Sequence, residues 1–145
     1  RTVAEHFDWL HTLDRGKIAR RLSEQRPADL PPLNVCLQLN IDDEPQKAGV
    51  AAANLLALAE EVAALPGLRL RGLMAIPAAR SNPREQRQVF ARVRHYFEAL
   101  QKQHPTVDTL SMGMSRDYRA AIAEGATLVR IGTGIFGPRA QLSPA

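Results

Sequence analysis

The chain has 145 residues, of which 45% are apolar and 23% are charged, a composition that supports one ordinary globular core and excludes disordered, collagen-like and disulfide-framework proteins. The net charge is +4 and aromatic residues make up only 5%, so the basic surface with stacking aromatics of a nucleic-acid-binding protein is not indicated. No apolar run approaches the roughly 18 residues of a membrane span. The single cysteine, Cys36, favours a reducing compartment. We therefore expect a cytoplasmic protein without nucleic-acid or membrane partners.

The first half of the chain alternates between strand and helix patterns. Residues 9–13 form a short strand candidate, and Asp14 is expected to cap a helix that stops before Pro27. Between residues 33 and 41, apolar and polar side chains alternate, which indicates a strand with one apolar and one polar face.

The alternation continues to the end of the chain and predicts a parallel sheet. The remaining elements are a helix from about residue 51 to Pro66, a strand at 68–76, a helix from Pro83 to Pro105 capped by Asn82 or Ser81, a strand at 109–114, a short helix from about Ser115 to Gly125, and a strand at 127–131. Such units are typical of open doubly wound sheets and of closed barrels. A complete eight-unit barrel needs about 250 residues, so this chain could supply about five units.

Glycine and hydroxyl residues follow the last two predicted strands. Gly113, Met114 and Ser115 end one strand, and Gly132 and Thr133 follow the next. Glycine lets backbone N–H groups approach an anion closely, and Ser115 is expected to stand at a helix N-terminus, so this pattern favours a phosphate site. The alternative, in which the glycines only make tight turns, remains open.

Arg130 is a lone arginine inside the apolar run Leu128-Val129-Arg130-Ile131, so its guanidinium needs an acceptor. An ion pair with Asp108 or Glu124 would satisfy it, as would a ligand, and the sequence alone slightly favours the ion pair. Asp117 also matters, because a carboxylate beside the phosphate pattern opposes an anion unless its side chain points away.

No catalytic residue and no metal ligand can be assigned from spacing. The four histidines have no cysteine or carboxylate at metal-ligand spacing. Residues 42–44 are acidic and could hold a cation, although acidic residues before a helix more often cap it. Gln38 and Asn40 are better candidates for ligand contact, since the polar face of their strand would line a barrel interior.

With these residues in view, the chain resembles the pyridoxal 5′-phosphate (PLP) homeostasis protein family, which is related to the barrel of alanine racemase. The most specific segments are Leu110-Ser111-Met112-Gly113-Met114-Ser115-Arg116-Asp117 and Val129-Arg130-Ile131-Gly132-Thr133-Gly134-Ile135-Phe136-Gly137, and further matches run through 7–14, 32–35, 38–40, 47–49 and 71–77.

The resemblance implies a TIM (β/α)₈ barrel of alanine racemase type, of which residues 1–145 would form the C-terminal part, a single domain without the first three strands. It implies that Ser115, Gly132 and Thr133 surround the PLP phosphate and that Arg130 faces the pyridine nitrogen. Gly113 and Met114 are expected as further cofactor-binding residues.

The function that this family implies is non-enzymatic PLP binding in intracellular PLP homeostasis, with PLP-accepting apoenzymes as candidate partners. A PLP-dependent amino-acid racemase and a phosphate-binding barrel unrelated to PLP are the alternatives. The family's Schiff-base lysine is not in this chain, because Lys17, Lys47 and Lys102 do not follow a short apolar strand as it does.

Overall fold

A computed structural model describes residues 1–138. The strands are β1 (Trp9–Leu13), β2 (Leu33–Asn40), β3 (Val50–Ala51), β4 (Leu68–Ala75), β5 (Thr109–Met114) and β6 (Leu128–Arg130). The helices are α1 (Thr2–His6), α2 (Gly16–Gln25), α3 (Leu55–Ala63), α4 (Pro83–Gln103), α5 (Tyr118–Ala123) and α6 (Thr133–Phe136).

All the paired strands are parallel, in the order β1-β2-β4-β5-β6, with the short β3 beside the end of β2. The prediction of five parallel strands is therefore confirmed. Because parallel strands share one direction, the loops that follow β4, β5 and β6 emerge at the same edge of the sheet.

One face of the sheet packs on the helices. Val35, Leu37 and Leu39 of β2 are buried in one cluster with Val62 of α3 and Phe97 of α4. These positions follow the period of two in the strand and the steps of three and four in the helices that the sequence shows. Burial of this apolar stripe fixes which face of each strand turns inward.

The opposite face is polar and carries the interior side chains of a partial barrel. Hydrogen bonds join its members across the sheet: Arg71 Nη1 donates to Asn34 Oδ1 at 3.0 Å, and the side chains of His11 and Arg130 both meet the Ser111 hydroxyl. In the sheet order β1 and β5 are separated by two strands, so the contact of His11 with Ser111 shows that the sheet curves around this face.

Several element ends differ from the expectation. Asp14 does not cap α2, which begins after Arg15 without a side-chain cap, because the Asp14 carboxylate accepts from the Gly49 N–H and pairs with Arg15. Asn82 does cap α4, accepting from the Arg84 N–H at 2.8 Å. A 3₁₀ turn at Ala52–Asn54 precedes α3, so that helix begins later than predicted. None of the described helices is long and apolar enough to cross a membrane.

Candidate functional site: a cleft at the carboxyl ends of three strands

A cleft of about 880 Å³ opens where β4, β5 and β6 end. Its walls are Pro77, Ala79, Arg80, Ser81, Gln86, Met114, Ser115, Arg116, Asp117, Arg130, Gly132 and Thr133. Three separate loops build it, because the parallel sheet delivers the ends of these strands to one edge. Five of the six residues expected to bind the cofactor line this cleft, and the sixth, Gly113, does not.

Arg130 is the last residue of β6, and its partly buried guanidinium reaches into the sheet interior. Nη1 donates to Ser111 Oγ at 2.6 Å, and Nη2 donates to the Ala75 carbonyl oxygen at 3.1 Å. Burial lowers the pKa of Arg130, and the charge of Asp117 partly offsets this effect. The guanidinium thus rests on neutral acceptors, and within residues 1–138 its Nε–H donates to none.

The expected ion pair of Arg130 with Asp108 or Glu124 is wrong. Asp108 instead pairs with Arg71 at 2.5 Å. Glu124 is buried and pairs with Arg87 at 2.7 Å and Arg94 at 3.2 Å. Both carboxylates are therefore paired elsewhere, and neither of them neutralises Arg130.

Ser115 lies against the first turn of α6. Its Oγ accepts from the Gly134 N–H at 3.0 Å, and its own hydroxyl hydrogen has no acceptor among the described residues. The amide of Thr133 likewise has no protein acceptor there. The expectation that Ser115 begins a helix is wrong, because α5 begins at Tyr118 with Asp117 as its N-cap residue. The helix end beside Ser115 is that of α6, which the sequence pattern did not reveal.

Open space adjoins Gly132. A Cβ atom built there would have no heavy atom within 4 Å, so the backbone presents an uncovered surface to the cleft. Together with the donors of Ser115 and Thr133, which have no partner within residues 1–138, this opening has the polarity and the room that a phosphate group requires.

Asp117 is tied to its own turn. One carboxylate oxygen, Oδ1, accepts from the Met114 N–H at 2.7 Å, and this bond holds the side chain against the backbone. Its negative charge still faces the cleft wall, where it balances part of the charge of Arg130.

Gly113 serves packing. It has φ +94° and is buried in β5, and a Cβ atom there would lie 2.5 Å from the Ala121 Cβ of α5. The glycine therefore allows α5 to approach the strand closely. Met114, the next residue, is 42% exposed and forms part of the cleft wall.

The acidic segment after β2 braces the rim of the cleft. Asp42 accepts from Arg80 Nη2 at 2.5 Å and from the Ala78 N–H at 2.6 Å, which ties the β2 loop to the β4 loop. Burial acts to raise the pKa of Asp42, but the hydrogen bonds from Arg80 and Ala78 outweigh it and lower that pKa. In the described part of the chain, no group of three His, Cys, Asp or Glu side chains could hold a metal ion.

Gln38 and Asn40 do not line the cleft, contrary to the expectation of ligand contact. Gln38 Nε2 donates to the Ala48 carbonyl oxygen at 3.3 Å, and Asn40 bonds to both backbone groups of Glu44. Their amides therefore shape the loop after β2.

His11 and Ser111 are the interior residues that sequence reasoning did not assign to the site. His11 Nδ1 lies 3.0 Å from Ser111 Oγ, which in turn contacts Arg130. The one local sign of their role in the sequence is the polar residue at position 111 within an apolar strand.

A partial parallel βα barrel with a polar cleft at its strand ends is the class of protein that this geometry defines. The family model for the alanine racemase N-terminal domain matches residues 1–140, and the chain belongs to that family.

Curated relatives and solved structures agree with this assignment. The chain is 59% identical over 145 residues to the pyridoxal phosphate homeostasis protein of Pseudomonas aeruginosa, covering all of this chain and 62% of that protein. It is 38% identical to PipY of Synechococcus elongatus PCC7942, solved with PLP bound, with a TM-score of 0.81 over 93% of this chain and 63% of that one. The resemblance to the PLP homeostasis proteins is thereby confirmed, and the chain spans about three fifths of the length of such relatives.

Alanine racemase of Corynebacterium glutamicum shares the fold at greater distance. It is 17% identical with a TM-score of 0.68, over 94% of this chain and 39% of that one. The expected fold class, part of a barrel of alanine racemase type, is therefore confirmed.

Proposed function

We propose that this chain binds PLP in the cleft and belongs to a non-catalytic PLP carrier that acts in intracellular PLP homeostasis. The observation that carries the proposal is Arg130, a partly buried guanidinium on neutral acceptors in the wall of the cleft. Other walls of this cleft offer donors that have no partner within residues 1–138. The PLP-bound structure of the relative PipY supports the same ligand.

The phosphate end of PLP would be held by Ser115, Gly132 and Thr133. The hydroxyl hydrogen of Ser115 and the amide of Thr133, which have no acceptor within residues 1–138, would donate to phosphate oxygens, and the bare Gly132 backbone would leave the room. Met114 supplies an apolar wall. Gly113 contributes indirectly, by setting the close packing of α5 that positions the turn at Ser115.

Arg130 would face the pyridine nitrogen. When bound, PLP supplies an aldehyde that condenses with amines and a ring that withdraws electrons strongly once its nitrogen is protonated. Arginine donates a hydrogen bond but keeps its proton at ordinary pH. Arg130 therefore orients the ring without protonating it, which suits holding the cofactor better than chemistry that needs a strong electron sink.

We further propose that the chain is the C-terminal part of a longer barrel and supplies its last five βα units. Its coverage of about three fifths of its relatives supports its being part of a longer barrel. So does the sheet, because β1 and β6 each pair on one side only within the described residues, and a closed barrel pairs both sides.

The linking lysine would then lie outside this chain. None of its three lysines lines the cleft, and Lys47 is exposed and paired with Glu44 at 2.7 Å. A cytoplasmic location and delivery of PLP to apoenzymes belong to the same proposal.

The test is a PLP titration of this chain and of the longer protein, followed by the fluorescence of Trp9, the single tryptophan. Saturable binding is expected. Arg130→Met should weaken it about tenfold or more, the contribution of one hydrogen bond to a charged donor, whereas the control Arg21→Met, an exposed residue of α2, should not.

Inorganic phosphate separates this proposal from a plain phosphate site. It should compete only at much higher concentration than PLP, because it cannot use Arg130. Equal affinity for phosphate and PLP, both insensitive to Arg130→Met, would favour a phosphate-binding barrel unrelated to PLP.

A further inference from the structure

Three side chains form a hydrogen-bonded row across the interior face of the sheet. Arg130 Nη1 lies 2.6 Å from Ser111 Oγ, and Ser111 Oγ lies 3.0 Å from His11 Nδ1. The row joins three strands that are distant in sequence, with Ser111 fully buried at its centre. It ends at the guanidinium that borders the cleft.

The chemistry of the three groups fixes the direction of this row. A guanidinium only donates, so Ser111 Oγ accepts from Arg130. The buried hydroxyl must then place its own hydrogen on another acceptor, and within residues 1–138 the one in reach is His11 Nδ1. His11 is therefore neutral, with Nδ1 unprotonated and its hydrogen on Nε2.

We propose that His11 is a positioning residue for PLP, which through the Ser111 hydroxyl holds the Arg130 guanidinium in place only while its Nδ1 is unprotonated. This inference rests on the proposed function. If it is correct, protonation of His11 in the interior of the sheet changes how Arg130 is held beside the pyridine ring.

Protonation of His11 would break the row. An Nδ1–H would donate to Ser111 Oγ, leaving the buried hydroxyl hydrogen without an acceptor and adding a second cation behind Arg130. The surroundings favour the neutral form, because burial and, to a smaller extent, the charge of Arg130 lower the pKa of His11.

The other ionisable groups on this face are paired with one another or neutral, so Arg130 is the charge that acts on His11. Asp108 is held by Arg71 at 2.5 Å, and Arg71 stacks over the Trp9 ring at 4.7 Å. Cys36 of β2 remains a thiol, because burial raises its pKa to about 12.

The first arm of the test needs no PLP. Histidine ¹⁵N NMR of the unliganded chain, with the His11 signal assigned by its loss in His11→Asn, should show an unprotonated Nδ1 and a protonated Nε2 at neutral pH. It should also show titration below the ordinary histidine pKa of about 6.5. A protonated Nδ1 at neutral pH would overturn the inference.

The second arm measures the dissociation constant of PLP against pH. We expect wild type to lose about tenfold in affinity as His11 becomes protonated, the effect of one disrupted hydrogen bond. In His11→Asn the amide oxygen can accept from Ser111 but does not titrate, so this loss should disappear while affinity at neutral pH is kept. In His11→Leu, affinity should be low throughout, and the exposed control His95→Asn should behave as wild type.

The possible failures are distinguishable. An unchanged pH response in His11→Asn, with PLP still bound, would overturn this inference and leave the proposed function intact. Absence of saturable PLP binding at every pH would overturn both. If His11 had a purely structural role, replacing it would lower the free energy of unfolding without changing the pH profile of PLP binding. That result would also contradict the proposal.

Discussion

Replacing Gly113 by alanine should destabilise the fold without touching the cleft directly. The residue has φ +94°, and the added Cβ would lie 2.5 Å from the Ala121 Cβ and 3.1 Å from the Tyr118 Cα. A left-handed backbone costs a residue with a side chain roughly 1–2 kcal/mol, and an extra carbon in a packed interior costs roughly 1–3 kcal/mol. The free energy of unfolding should therefore fall by about 2–5 kcal/mol.

Urea denaturation followed by Trp9 fluorescence measures this loss. The matched control is Gly132→Ala, since a methyl group there meets no heavy atom within 4 Å and should change the free energy of unfolding by less than about 0.5 kcal/mol. The control should instead weaken PLP binding, because its methyl group occupies the space proposed for the phosphate. A Gly113→Ala variant as stable as wild type would refute the packing role of Gly113.

Three further predictions concern pH, capping and the covalent link. Burial lowers the pKa of His11 in the folded protein, so the unfolded chain binds this proton more readily. The free energy of unfolding should therefore decline as pH falls below about 6.5. A decline of the same size in His11→Asn would show that other groups cause it. Asn82→Ala removes the acceptor for the Arg84 N–H and should cost about 1 kcal/mol in urea denaturation, and no loss would mean that water replaces this cap. This chain alone should show no lysine-linked PLP absorbance, and borohydride trapping in the longer protein should label a peptide before Arg1; an adduct at Lys47 would contradict this.

The sheet could be predicted because its signals are local. Apolar alternation between residues 33 and 41 and the turn residues around the strands depend only on neighbours in sequence. In contrast, β3 has two residues and exists only through its pairing with β2, and α6 has only four residues. Elements this short depend on tertiary contacts that no periodicity records.

The site could be predicted only in part. That Ser115 lies near Gly132 and Thr133 follows from the rule that parallel strands bring their carboxyl ends to one edge. The partner of Arg130 could not be predicted. The pairing of β4 with β5 places Asp108 beside Arg71, and the two residues form an ion pair. The row from His11 to Ser111 depends on how far the sheet curves, which the sequence does not encode locally.

The central claim is that the cleft at the ends of β4, β5 and β6 binds PLP. An NMR titration of the isotopically labelled chain with PLP tests it most directly, with inorganic phosphate as the parallel ligand. We predict saturable shifts that are largest at the amides of Ser115, Gly132 and Thr133 for both ligands, and at the Arg130 guanidinium for PLP alone. Shifts that fail to saturate, or that centre on residues outside the cleft, would contradict the account.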